Sequence, residues 1–173
     1  MRDKVTISGS IVIFNEDQEI LQKAINSFAK IPFSKKLYIL DNSPIPIDLP
    51  FDKDLVVYIK NTSNLGFGSA HNKVLSHINN LSDYHLILNP DVQFDGDIFH
   101  ELFTQLDQDD SLSMIAPKVK FLNEEVQQTC RKDPTVKSMV SRRLRFFNTS
   151  REIHEYKDID WNTPFYPEFI HGC

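Results

Sequence analysis

The sequence predicts an α/β fold: a mostly parallel central sheet with helices on both of its faces. Short, unbroken apolar runs recur along the chain, and such runs suit strands buried on both faces. Segments with apolar residues at helical spacing lie between them, the alternation of a layered α/β sheet. The first, second and fourth runs each end in a polar cluster that contains an acid. Ligands of such sheets sit at the carboxyl ends of the strands, so these clusters are the first functional clue.

The first strand is Ser10-Ile11-Val12-Ile13-Phe14, ending in Asn15-Glu16-Asp17. A helix follows, with Ile20, Leu21, Ala24, Ile25 and Phe28 on one face, Asp17 as N-cap and Pro32 just past its end. Leu37 to Leu40 is the second strand, closed by Asp41-Asn42-Ser43, and Pro44, Pro46 and Pro50 make the next stretch a loop. Leu55 to Ile59 is the third. Asn64 to Gly68 then turns into a helix carrying Ala70, Val74, Leu75 and Ile78. Leu86 to Leu88 is the fourth strand, ending in Asn89-Pro90-Asp91, and Ile98, Leu102, Phe103 and Leu106 mark a third helix. Met114 to Ala116 reads as a fifth strand stopped by Pro117, and Val119 to Gln128 as a hairpin around Asn123-Glu124. The terminal Phe169-Ile170-His171-Gly172-Cys173 reads as a strand entering a core.

A chain of 173 residues suits about one domain, and 40% hydrophobic with 25% charged residues excludes disorder and coiled coil. The formal charge of −5 argues against a nucleic-acid binder. Cys130 and Cys173 form neither a disulfide framework nor a CxxC pair, so a reducing cytoplasm is expected. Residues Met1 to Gly9 lack the apolar core of a signal peptide, and the run Ile11 to Phe14 is far short of the ~20 residues of a membrane span. The basic stretch 131–151 is either a solvated face or a surface for phosphate-bearing substrates and anionic lipid. The second reading would place the protein peripherally on the inner face of the plasma membrane.

Asp91 is the leading chemical candidate. A carboxylate after a buried strand and a rigid Pro90 suits Mg²⁺ or Mn²⁺, completed by phosphate oxygens and water. The plain alternative is a carboxylate capping a turn. An EF-hand over Asp91, Gln93, Asp95 and Gly96 fails, because Leu102 stands where a Glu is required. Asp41 either accepts hydrogen bonds from a base or ribose, or is a turn acid. Gly66 and Gly68 open a helix and let a ligand approach the backbone, but His71 breaks the full G-x-G-x-x-G pattern. The six histidines lack paired zinc spacing and read mostly as surface residues, and Cys130 has no nearby His or Cys partner.

Five segments stand in order: 10–15, 40–43, Asn64-Leu-Gly66-Phe-Gly68-Ser-Ala70-His-Asn72, Leu86-Ile-Leu-Asn89-Pro90-Asp91, and 115–118. Together they resemble family 2 glycosyltransferases of the GT-A fold, in particular rhamnosyltransferase-like enzymes that build bacterial O-antigen or capsule. The resemblance runs from about Ile11 to Cys173. It implies an inverting hexosyltransferase that takes a sugar, with rhamnose favoured, from a dTDP- or UDP-sugar to a glycan or lipid-linked acceptor. It implies that Phe14, Asn15, Asp41, Asn64, Gly66, Gly68, Asn72 and Asn89 bind the nucleotide-sugar, and that Asp91 holds Mg²⁺ or Mn²⁺. Gln127 and Arg131 match family positions ahead of a Pro such as Pro134.

One departure is at the end, where His171 replaces the usual Ser. The family continues for roughly a hundred residues more, since one domain commonly runs past this length, and that part supplies the catalytic base. The expectation is therefore a single donor-binding domain over 1–173, with the acceptor-binding and base-bearing part beyond Cys173. The alternatives are a catalytically inactive nucleotide-sugar-binding fragment, activity with Asp158 or Asp160 as base, and an NAD-dependent oxidoreductase. The broken glycine fingerprint and the Asn-Pro-Asp strand end argue against the last.

Overall fold

A computed structural model describes residues 5–78, 82–133, 156 and 159–170. The chain divides into two compact units, Met1–Gln108 and Asp109–Cys173. In the first unit the elements run β1 (Thr6–Ile13), α1 (Gln18–Ala29), β2 (Ser34–Asp41), β3 (Val56–Lys60), α2 (Phe67–Ile78), β4 (Tyr84–Leu88) and α3 (Ile98–Gln108). The four strands form one parallel sheet in the order β3-β2-β1-β4. After β3 the chain crosses to the other side of β1, so the topological switch lies between β1 and β4.

Strand alternation sorts side chains onto the two faces. Ile7, Ile11 and Ile13 of β1 and Leu37 and Ile39 of β2 join Leu21, Ala24, Ile25 and Phe28 of α1 and Phe99 and Phe103 of α3 in one core. Tyr38 and Leu40 face the other way and pack with Ala70, Val74 and Ile78 of α2. Helices thus cover both faces, as the unbroken apolar runs require. Gly9 sits on the first face because nothing larger fits: a Cβ there would lie 2.5 Å from the Phe28 ring. The Asp17 carboxylate caps α1 as expected, accepting from the Glu19 and Ile20 amides at 2.8 and 3.1 Å.

Among its described residues the second unit carries only two-residue strands. β5 (Val119–Lys120) pairs antiparallel with β6 (Val126–Gln127), the expected hairpin, with Glu124 at φ 68° in its turn. β7 (Cys130–Arg131) pairs with β8 (Phe169–Ile170). One expectation is corrected here. Met114 to Ala116 form no strand: Met114 is 62% exposed, and Pro117 offers no amide to a ladder. The expected terminal strand is present over Phe169–Ile170, paired with β7 and with Phe169 exposed, and its remaining residues lie outside the described ones. His171 to Cys173, His154, Asp158, Pro134 and most of the basic stretch lie outside the described residues.

Candidate functional site at the carboxyl edge of the sheet

All four parallel strands end on one edge, and the hydrogen-bond ladder continues past them. The Asn42 amide donates to the Ile13 carbonyl at 2.9 Å, and the Asn61 amide to the Asp41 carbonyl at 2.8 Å. The Asn15 amide donates to Ser43 Oγ at 2.8 Å, and Asn15 itself has φ 53°. A cleft of about 420 Å³ opens here, lined among others by Phe14, Asn42, Ser43, Pro44, Lys60 and Asn64. Phe14 is 49% exposed, so an aromatic ring forms part of an open polar cleft.

Asn42 holds the floor of that cleft. Its Oδ1 accepts from Asn61 Nδ2 at 2.9 Å and from the Leu65 amide at 3.4 Å, and its Nδ2 donates to the Gly66 carbonyl at 3.4 Å. Lys73 Nζ on α2 donates to Asn61 Oδ1 at 2.8 Å. These bonds fix the loop that delivers the start of α2. Gly66 has φ +74°, a conformation side chains rarely adopt, and its amide donates to Asn64 Oδ1 at 2.8 Å. Gly68 is exposed and faces open space, as nothing lies within 4 Å of an added Cβ. Asn72, also expected at the site, is exposed one turn further along α2. Sequence reasoning gave no role to Asn42, Asn61, Lys60 or Lys73. The quoted segment 40–43 contained Asn42, but only its acid was assigned.

The two strand-end acids differ sharply. The Asp41 side chain is 0% exposed. Oδ1 accepts from the Ser43 amide at 2.7 Å, and Oδ2 from the Ile47 amide at 3.2 Å and from the Tyr58 hydroxyl. Burial pushes its carboxyl up, and the bonds from Ser43, Tyr58 and Ile47 outweigh that and hold it below the ordinary carboxylate value. Burial also pushes the Tyr58 hydroxyl up, and its bond to Asp41 adds to the effect. Asp41 is absent from the cleft lining.

Asp91 follows β4 beside the switch point and is exposed. The turn there is closed by backbone, Val92 amide to Asn89 carbonyl at 3.5 Å, and no hydrogen bond engages the Asp91 carboxylate among the described residues. The turn-cap alternative therefore has no bond to support it. Glu16, after β1, is held above its ordinary value by burial first, with repulsion from Asp91 and Asp17 contributing. Two strand-end carboxylates thus feel each other across the switch. No group of three or more potential metal-ligating side chains exists among the described residues. A single open carboxylate still fits Mg²⁺ or Mn²⁺ of the kind that draws its other ligands from phosphate and water.

Two histidines are not surface residues. His71 is 5% exposed and His85 is half-buried, because Ser8 and Ser10 point from β1 toward α2 and form a polar seam with them. Ser10 Oγ lies 2.7 Å from His71 Nδ1 and 2.8 Å from His85 Nε2, and Ser8 Oγ 2.7 Å from His85 Nδ1. Burial, with the His85 charge adding, pushes His71 down to about 4. Its Nε2 is buried without a partner among the described residues.

In the second unit, Gln127 is half-buried in β6, and Arg131 in β7 donates to Gln128 Oε1 at 3.2 Å. Cys130 is buried. The Asp160 carboxylate is taken up in a local turn by the Asn162 amide at 3.0 Å and the Thr163 hydroxyl at 2.8 Å. Among the described residues no helix is long and apolar enough to cross a membrane.

Residues 10–168 match the model of the family described as "Glycosyl transferase family 2". No curated protein matches the chain. Among solved structures, the crystal structure of S. aureus TarS is similar with a TM-score of 0.55 at 17% sequence identity. The similarity covers 75% of this chain and 24% of that one, so this chain spans about a quarter of that protein's length. At that identity the likeness speaks for the fold alone, the GT-A-like parallel sheet with its helices.

Proposed function

The chain belongs to glycosyl transferase family 2, and from that premise we propose that it binds a nucleoside-diphosphate sugar for transfer to an acceptor hydroxyl. The observation that carries this reading is the carboxyl edge itself. An aromatic-sided polar cleft lies at the ends of β1, β2 and β3, and an unengaged carboxylate stands at the β1/β4 switch.

In this reading the base enters the cleft against Phe14, with Asn15 and Asn64 at its rim. The open backbone at Gly66 and Gly68, with the N-terminal end of α2, receives the diphosphate, where helix amides favour negative charge. Asn72 and Asn89 border the sugar. Asp91 would hold Mg²⁺ or Mn²⁺, which when bound neutralises charge growing on the leaving diphosphate. Glu16 adds negative potential beside it. The whole chain serves as one donor-binding domain. A dTDP- or UDP-linked hexose, rhamnose in the narrowest form, is the proposed donor. A glycan or lipid-linked acceptor in surface polysaccharide synthesis is the proposed partner, with inversion at the transferred carbon. The acidic net charge supports a protein that does not bind nucleic acid, the two cysteines, which form no CxxC pair, support a cytoplasmic setting, and Arg131 and Lys132 begin the basic stretch proposed to meet a membrane.

Calorimetric titration of the full chain with UDP, dTDP and NADH, with and without Mg²⁺ or Mn²⁺, tests the reading. Metal-dependent binding of a pyrimidine diphosphate and none of NADH is the expected result. Binding of NADH alone would replace the reading with a dinucleotide fold.

A further inference from the structure

We propose that Asp41 is a positioning residue, which shapes the nucleotide cleft through the 42–47 loop and Tyr58 and does not touch the bound group. The proposal rests on the nucleotide-sugar reading of the cleft, but it assigns Asp41 a different part from the base or ribose contact that the family resemblance implies.

Three observations carry it. First, strand alternation places the Asp41 side chain on the face of Leu37 and Ile39, the face of α1 and α3. Asn42, its neighbour, reaches instead toward Leu65 and Gly66 at the start of α2. Second, the carboxylate is fully buried, and both oxygens are occupied by its own chain. A nucleotide would have to displace bonds already made at a carboxylate closed to solvent. Third, the loop has few other ways to hold itself. Pro44 and Pro46 carry no N–H, so only Ser43, Ile45 and Ile47 offer backbone donors between 43 and 47, and two of those three go to Asp41. The clamp reaches the cleft through Ser43, whose Oγ accepts from the Asn15 amide and whose carbonyl accepts from Lys60 Nζ. Tyr58 backs the clamp from β3, its ring stacked on Phe51 at 5.3 Å between centroids, and neither ring lines the cleft.

The test compares Asp41→Asn and Tyr58→Phe in the full chain by two readouts. Amide hydrogen exchange at Ile47 reads the clamp itself. It is expected to speed up at least tenfold in Asp41→Asn and at least threefold in Tyr58→Phe. Titration with UMP and CMP reads the consequence. Both variants are expected to bind both nucleotides three- to tenfold more weakly, with the UMP-to-CMP preference unchanged. Uracil N3 is a donor and cytosine N3 an acceptor, so a residue that reads the base must discriminate between them. A tenfold change in that preference in Asp41→Asn, with Tyr58→Phe binding UMP as wild type does, overturns the proposal. If the wild type binds neither nucleotide, the reading of this cleft as a uridine-nucleotide site falls. The exchange data then decide the clamp alone, and unchanged Ile47 exchange in both variants overturns it.

Discussion

The ends of β2 and β4 look alike in sequence, an apolar run leading into a polar turn with an Asp, yet the two carboxylates meet opposite fates. Asp41 ends a central strand, with β1 on one side and β3 on the other, and the following loop folds back over it. Asp91 stands three residues beyond Leu88, just past Pro90, and it remains exposed. The difference teaches that a strand-end acid is a structural anchor when its side chain points under its own loop. It stays unengaged when the turn is closed by backbone instead.

The largest expected effect is on stability. Asp41→Ala leaves the buried Ser43 amide and the half-buried Ile47 amide and Tyr58 hydroxyl without their acceptor, and a fully buried unpaired group costs about 1–3 kcal/mol. Urea denaturation should show a loss of at least about 3 kcal/mol, whereas Asp91→Ala should stay within about 0.5 kcal/mol of wild type. Equal losses at the two sites would erase the distinction. The anchor is also acid-sensitive. Because the folded Asp41 value is lowered, its contribution holds above the ordinary value of 3.8 and fades as pH falls through the lowered one.

A second pH-dependent loss belongs to His71, on the opposite face of the sheet from Asp41. Folded His71 titrates at about 4 against 6.5 when unfolded, so between those values the unfolded chain binds the extra proton. Stability should therefore fall as pH drops from about 6.5 to about 4, by an amount on the order of 2–3 kcal/mol. Melting curves of His71→Asn, which keeps an amide near Ser10 and does not titrate, should be flatter across that window. A wild-type midpoint constant from pH 7 to pH 4 would contradict the burial of this ring.

At the other strand end the effect should appear in binding. Mg²⁺ should tighten UDP or dTDP binding at least tenfold, about 1.4 kcal/mol, and Asp91→Asn should abolish that gain. The same variant should bind UMP as wild type does. An unchanged metal response in Asp91→Asn would move the metal away from β4.

The smallest effect sharpens where the ligand lies. Gly68→Ala meets open space, so the fold should tolerate it or gain about 0.5–1 kcal/mol from reduced chain entropy and better helix propensity. Donor affinity should nonetheless drop a few-fold, if the ligand packs against this backbone. Unchanged affinity would place the diphosphate elsewhere.

Much of the sheet was legible because its signals are local. Ile11 to Ile13, Leu37 to Leu40 and the Leu21–Phe28 stripe announce burial through the chain's own period, and Asp17 caps a helix only two residues away. Met114 to Ala116 have the composition of a strand, but among the described residues no strand pairs with them. His71 and His85 depart from the mostly surface reading of the histidines for a related reason. Their burial depends on Ser8 and Ser10, which lie 61 to 77 positions away and become neighbours through the β1–β4 pairing for His85 and through the packing of α2 on β1 for His71.

Apolar period and turn chemistry are properties of neighbouring residues, and they were enough to name the layers, the order of the elements and the edge where a ligand would sit. The occupation of a polar side chain depends on which distant donors arrive beside it. Asp41 met Tyr58 on neighbouring β3 and the Ile47 amide through a folded-back loop, whereas Asp91 met none among the described residues. Asn42 gained its place by the same route, through Asn61, Leu65 and Gly66. A carboxylate's availability is thus set by strand order and side-chain parity in the assembled sheet, because only packing brings the competing donors within hydrogen-bond range.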